Sequence, residues 1–363
     1  MTLLSTIGVI LSIDIHDSKE YDANKKAAMH DLEKIIGLQK PHGLLQQVIA
    51  VCGDKQFTAE QLISSIKKGD QYGKQLVQMY QLKKELEAEL LKKSKQISQT
   101  SDWGMESDSE KKKSSKDIIK DSIDPRLLLI SPNKDSTPLS LPADCSTFVT
   151  HFSHPAADAV RLAAQNLRVW EMILLDGDNA TRDKVETYLK DGNQNIDLIL
   201  HYDHGELNVI YGQKDGQRQG VIDLNNVGLL KGKKLSTVSC SSAAVLGEEA
   251  CRNGAIAYLG YSEPIWEPGT GSNSQTDQLV LNKFIESFNA ANLALLNGKT
   301  FQESYDQGKR VFNQKYHELM EIAKEAPDKL EGLTIFLDAL FLLGDSTWLK
   351  GHGDPNTRAF QGQ

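Results

Sequence analysis

Two apolar runs in this chain each stop at a residue that can do chemistry. One reads Ile-Asp-Leu-Ile-Leu-His-Tyr over 196–202 and breaks into Asp203-His204-Gly205. The other reads Leu-Ser-Thr-Val-Ser over 235–239 and breaks into Cys240-Ser241-Ser242. In an open α/β sheet, ligands bind outside the carboxyl ends of the strands. If both runs are strands of one sheet, an imidazole and a thiol share one rim. The 36 positions between them (240 minus 204) accommodate a hairpin and a return strand.

That pair is suited to acyl transfer. The nucleophile is the thiolate, and a free cysteine has a pKa of about 8.5. Cys240 stands directly before a helix expected over Ser241–Asn253, whose N-terminal partial positive charge would favour the thiolate. His204 would polarise the scissile bond and protonate the leaving amine. Gly205 has no Cβ, so its backbone can approach a substrate closely. Its N–H and that of Cys240 are the expected oxyanion donors.

Plainer readings compete. A lone histidine after a strand is usually structural, and a buried cysteine is usually a small hydrophobe. It is the pairing on successive strand ends, with glycine after the histidine, that favours function. His201 lies mid-strand, so a packed or hydrogen-bonded core role is expected. Cys251 falls at helical spacing with Ala244 and Gly247 and reads as core; Cys52 and Cys145 read as structural or incidental. No C-x-x-C pair is present, so neither a metal nor a disulfide framework is expected. No G-x-G-x-x-G or Walker loop follows an early strand, which argues against a nucleotide cofactor.

The elements that must position these residues are legible in outline. From about 125, short apolar strands alternate with helices: Arg126–Ile130, Pro155–Arg168, Glu171–Leu175, Thr181–Lys190, Ile196–Tyr202, Leu235–Ser239, Ser241–Asn253 and Ala255–Gly260. Leu207–Tyr211 and Gly220–Leu224 flank Lys-Asp-Gly (214–216), a hairpin signal. Long helices are expected over about 275–296 and 301–323, the second opened by a Thr300/Glu303 capping box. This alternation predicts an α/β protein, with a mainly parallel sheet between two helical layers.

Residues 1–92 predict a smaller N-terminal α/β or helical unit. Its expected elements are strands at Ile7–Ile15 and Gln47–Cys52, a helix over Asn24–Ile36, a helix capped by Thr58 and Gln61, and a long helix over Tyr72–Lys93. Residues 93–124 read as a charged, exposed linker or activation loop, 125–350 as the main domain, and 351–363 as a polar tail. The stretch 94–121 has too little apolar surface to offset its ordering entropy.

Net charge is −8, from 41 basic and 49 acidic residues, with no dominant basic patch, so nucleic acid is not an expected partner. No apolar run reaches the roughly 18 residues of a membrane helix. The first residues lack the basic region and cleavage site of a signal peptide. A cytoplasmic protein with reduced thiols is expected.

These landmarks resemble peptidase clan CD, the group of caspases, gingipains, legumain, clostripain and separase. Members share a hydrophobic strand ending in His-Gly and another ending in the nucleophilic cysteine. Asp203-His204-Gly205 looks like the legumain and clostripain form. The run from Cys240 through Gly254-Ala-Ile-Ala-Tyr-Leu-Gly260 is most similar to the gingipain or CHAT-like group, as is Phe341-Leu-Leu-Gly-Asp-Ser-Thr-Trp-Leu349, with Ser346 where proline is usual. Leu174–Arg182 looks like the turn preceding the histidine strand. The resemblance spans about 125–350 and implies a caspase-like α/β/α sandwich. It also implies a cysteine endopeptidase with Cys240 and His204 as the catalytic pair, acting on a protein or peptide substrate.

Asp176, Asp178 and Glu263 are acidic candidates for a substrate pocket, with Trp266 as a wall; lining by one of them would favour Lys or Arg before the scissile bond. Asp178 as a helix cap and Glu263 as a turn residue are the plainer readings. The Lys-rich 111–120 stretch invites self-processing, and the N-terminal unit invites a regulatory partner. The competing function is a catalytically silent caspase-like module for interaction or sensing.

Overall fold

The computed structural model describes residues 18–42, 48–52, 55–99, 125–131, 152–190, 195–268, 275–326 and 328–360. The expected strand over 7–15, most of the linker, and Cys145 lie outside these residues.

In chain order the elements are α1 (Ser18–Gln39), β1 (Ala50–Cys52), β2 (Lys55–Phe57), α2 (Ala59–Lys68), α3 (Gln71–Gln99), β3 (Arg126–Ser131), α4 (His154–Leu167), β4 (Glu171–Asp176), α5 (Arg182–Lys190), β5 (Ile196–Tyr202), β6 (Gly205–Glu206), β7 (Val209–Lys214), β8 (Gln217–Asp223), β9 (Lys234–Val238), α6 (Leu246–Arg252), β10 (Ala257–Tyr261), β11 (Trp266–Pro268), α7 (Gln275–Leu296), α8 (Phe301–Glu325), α9 (Lys329–Trp348) and β12 (Leu349–Gly353).

The central sheet has six strands in the order β12-β10-β9-β5-β3-β4. All its pairings are parallel except that of β12 with β10. Helices cover both faces. Leu127, Leu129, Leu198, Leu200 and Tyr202 point into one cluster with residues of α4, α7 and α8. Leu128, Ile130 and Ile199 point into the other with Val185 and Leu189 of α5 and Leu246 and Ala250 of α6. A strand's side chains alternate faces, so strands covered on both faces are apolar throughout. The α/β architecture with a mainly parallel sheet is as the sequence predicts.

A polar network fixes α7 across the sheet. The Ser236 hydroxyl donates to Asn292 Oδ1 (2.5 Å), Asn292 donates to the Tyr202 hydroxyl (2.6 Å), and Tyr202 donates to Asn289 Oδ1 (2.8 Å). Buried groups so satisfied set the register of helix on sheet rather than merely filling space.

Three features differ from the sequence reading. First, α3 runs to Gln99, past the boundary read at 93. Second, 351–363 does not start as a free tail. Residues Leu349–Gly353 add an antiparallel edge strand to β10. Beyond it, Phe301 N–H donates to Thr357 O and Ala359 is buried. Polar side chains there conceal a backbone that the sheet edge pairs. Third, the N-terminal residues share a sheet and a core with the main body. Strand β1 pairs antiparallel with β2 on one side and with β11 on the other. Residues of α1, α2 and α3 belong to the same apolar cluster as α9.

No helix among the described residues is long and apolar enough to cross a membrane.

Candidate active site

Strands β5 and β9 are neighbours and parallel, with His201 opposite Thr237 and Tyr202 opposite Val238. That is an offset of 36. Carried two residues past each strand, it pairs position 204 with position 240. Gly205 confirms the closeness. A Cβ built on it would lie 2.9 Å from the Cys240 carbonyl oxygen and 2.8 Å from both Cβ and Oγ of Ser239. The structure therefore brings His204, Gly205 and Cys240 together at one rim.

The floor beneath them is polar and ordered. His201 is fully buried, with Nε2 2.6 Å from the Tyr211 carbonyl and Nδ1 2.7 Å from Thr237 Oγ1. A carbonyl only accepts, so Nε2 carries the proton and Nδ1 accepts from Thr237. Thr237 Oγ1 then accepts from Ser239 Oγ, 2.7 Å away. Burial holds the His201 pKa down to about 4, so this imidazole stays neutral. The Tyr211 N–H donates to the His204 carbonyl (3.0 Å), so one residue of β7 anchors both histidines. Asp203 Oδ1 accepts from the His204 N–H at 2.7 Å. The core role expected for His201 is what its partners give it.

The hairpin carrying Tyr211 turns at Asp215-Gly216, both at positive φ (52° and 72°). That is the geometry a two-residue hairpin turn requires. Gln213 N–H donates to the Ala180 carbonyl, tying the hairpin to the turn after β4.

The segment after Cys240 corrects one expectation. The helix starts at Leu246, not Ser241. Residues 241–245 form turns instead, with Ser241 at φ 54°. A helix dipole acts within its first turn, so it does not reach Cys240, and the thiolate argument from it falls. The segment is held by the end of β10 and the loop after it: Ser241 N–H donates to the Glu263 carbonyl (3.0 Å) and Ala243 N–H to the Tyr261 carbonyl (2.8 Å). The Ile265 N–H points at Cys240 Sγ, 3.3 Å away. An N–H donor at sulfur favours the anionic form. Cys240 is 6% exposed and His204 3%.

The pocket candidates separate. Asp176 ends β4 at the far edge of the sheet, two strands from β5. Asp178 Oδ1 accepts from Gly216 N–H (2.9 Å), so it secures the hairpin. Trp266 is fully buried, stacked on Phe57 and Phe341, and walls no open surface. Glu263 alone lies beside the nucleophile. Its side chain is half-buried, and Oε2 accepts from Gln71 Nε2 and Gln75 Nε2, each at 3.3 Å. Burial pushes its pKa up, and the two amides oppose that.

Sequence reasoning missed Gln71 and Gln75, whose only signal is their four-residue spacing on a helix. It also set Cys52 aside. Cys52 lies opposite Trp266 in the small sheet, one residue from the N–H on Cys240. Burial pushes its thiol pKa up, helped by Cys240, Asp345, Glu267 and Glu263 nearby. Among the described residues no group of three or more His, Cys, Asp or Glu side chains could hold a metal ion.

No family model matches the chain, and no curated protein matches it.

Proposed function

We propose that this chain is a cysteine endopeptidase with a caspase-like fold, using Cys240 as nucleophile and His204 as proton donor. The observation that carries the reading is the neighbouring parallel pair β5 and β9, with Gly205 packed on the Cys240 backbone. The thiolate attacks the scissile carbonyl carbon, a C–S bond forms, and the carbonyl electron pair moves to oxygen. The N–H groups of Gly205 and Cys240 receive that oxyanion. Collapse breaks the C–N bond as His204 protonates the leaving amine. Water then hydrolyses the thioester and regenerates the thiol. Glu263 is the acidic group on the acyl side, which favours a basic residue before the scissile bond.

One observation favours a second reading, a catalytically silent module: both side chains are almost fully buried. Labelling separates the two. A peptidyl acyloxymethyl ketone should modify wild-type protein stoichiometrically at Cys240 and leave Cys240→Ala untouched, and a peptide library should be cut only by wild type. Absence of labelling and cutting at neutral pH supports the silent module.

A further inference from the structure

The sheet order fixes which side of the site is which. His204 follows β5, Cys240 follows β9, and Glu263 follows β10, and these strands are adjacent in that order. A leaving amine must face His204 to take its proton, so the acyl part of a substrate extends the other way, toward Glu263. There the carboxylate is already engaged by α3. Both glutamine amides meet the same oxygen, Oε2, and Oε1 takes neither bond.

The amide of Gln75 cannot turn round. The Trp266 indole N–H, which only donates, reaches Gln75 Oε1 at 3.2 Å. Its NH₂ must therefore face Glu263. Gln75 is 4% exposed, so this orientation is held by packing as well. Trp266 is itself clamped, its backbone N–H donating to Asp345 Oδ1 at 3.0 Å. Among the described residues, the two amides hold the carboxylate through Oε2 and leave Oε1 outside those bonds.

Resting on the peptidase reading above, we propose that Gln71 and Gln75 of α3 are specificity-determining residues that make this pocket select lysine over arginine. A guanidinium gains most from a carboxylate when its planar fork meets both oxygens. Here Oε2 is taken, so arginine is reduced to a single bond unless it displaces two amides. An ammonium is a compact point charge that needs only Oε1. Two residues of α3 thus complete a pocket whose carboxylate follows β10.

The test uses the full chain and three matched peptidyl acyloxymethyl ketones ending in Lys, Arg or Leu, with the Cys240 labelling rate as readout. Iodoacetamide, which needs only the thiol, is the control. Wild type should favour Lys over Arg by roughly tenfold, the worth of one charged hydrogen bond. Gln71→Ala, at an exposed position, and the double variant with Gln75→Ala should lower that ratio by speeding the Arg probe. Glu263→Gln should slow Lys and Arg alike toward the Leu rate. Should the buried Gln75→Ala fail to fold, Gln71→Ala decides alone. Equal Lys and Arg rates in wild type, or a ratio unmoved by Gln71→Ala, overturn the proposal. Iodoacetamide labelling without any basic preference also overturns it but leaves the nucleophile standing. No labelling by any reagent removes the peptidase reading itself.

Discussion

Gly205 rests on the backbone of Cys240, with no room for a side chain between them. A Cβ there would come within 2.9 Å of a carbonyl oxygen, which cannot rotate away as a side chain can. Gly205→Ala should therefore push the ends of β5 and β9 apart. Overpacking of this kind costs about 1–3 kcal/mol. The expected outcome is a lower melting temperature and at least a roughly tenfold slower Cys240 labelling rate, since small displacements at a reacting centre are expensive. A variant that melts and labels like wild type would show that this contact does not set the site.

His201 makes stability depend on pH. Its folded-state pKa is about 4, below the ordinary histidine value of 6.5. The unfolded chain therefore binds more protons between those values, and stability falls as pH drops through that window. The full loss, reached below pH 4, is on the order of 3 kcal/mol. His201→Gln should flatten this part of the profile. Urea unfolding at pH 7, 6, 5 and 4 on both proteins checks it; parallel curves would assign the acid sensitivity elsewhere.

The parallel core was legible because buried strands are apolar throughout, as Ile196–Tyr202 is, and because Pro, Gly and capping residues punctuate the helices. The His204 and Cys240 strand ends were legible for the same reason: a reactive residue follows each apolar run. The start of α6 was not, because Ser241–Val245 carries helix-compatible residues, yet the N–H groups of Ser241 and Ala243 go to the carbonyls of Glu263 and Tyr261 instead. Nor was the pairing of β1 with β11, which joins residues more than 200 positions apart through three-residue strands. Trp266 looked like a pocket wall because position says nothing of depth; its burial depends on Phe57 and Phe341, remote in sequence.

Beneath Trp266 two carboxyls sit in the core. Asp345 and Glu267 are both buried, and burial drives both pKa values well above the ordinary carboxylate range, each held further up or down by its neighbours. For Glu267 the nearby Asp345 charge adds to the rise, while the Trp266 N–H partly opposes it at Asp345. A raised folded-state pKa means the native protein keeps a proton that the unfolded chain releases. The stabilising contribution is complete below the unfolded value near 3.9 and is lost as pH rises toward the folded value. Asp345→Asn keeps an oxygen for the Trp266 N–H and removes the ionisation. It should therefore come closest to wild type at about pH 3.5 and exceed it at pH 8 by about 1–3 kcal/mol, the range for relieving a buried polar group. Chemical unfolding at the two pH values measures this directly. If the asparagine variant is the less stable protein at pH 8, the aspartate is not ionisation-limited, and its contact with Trp266 must depend on the charge.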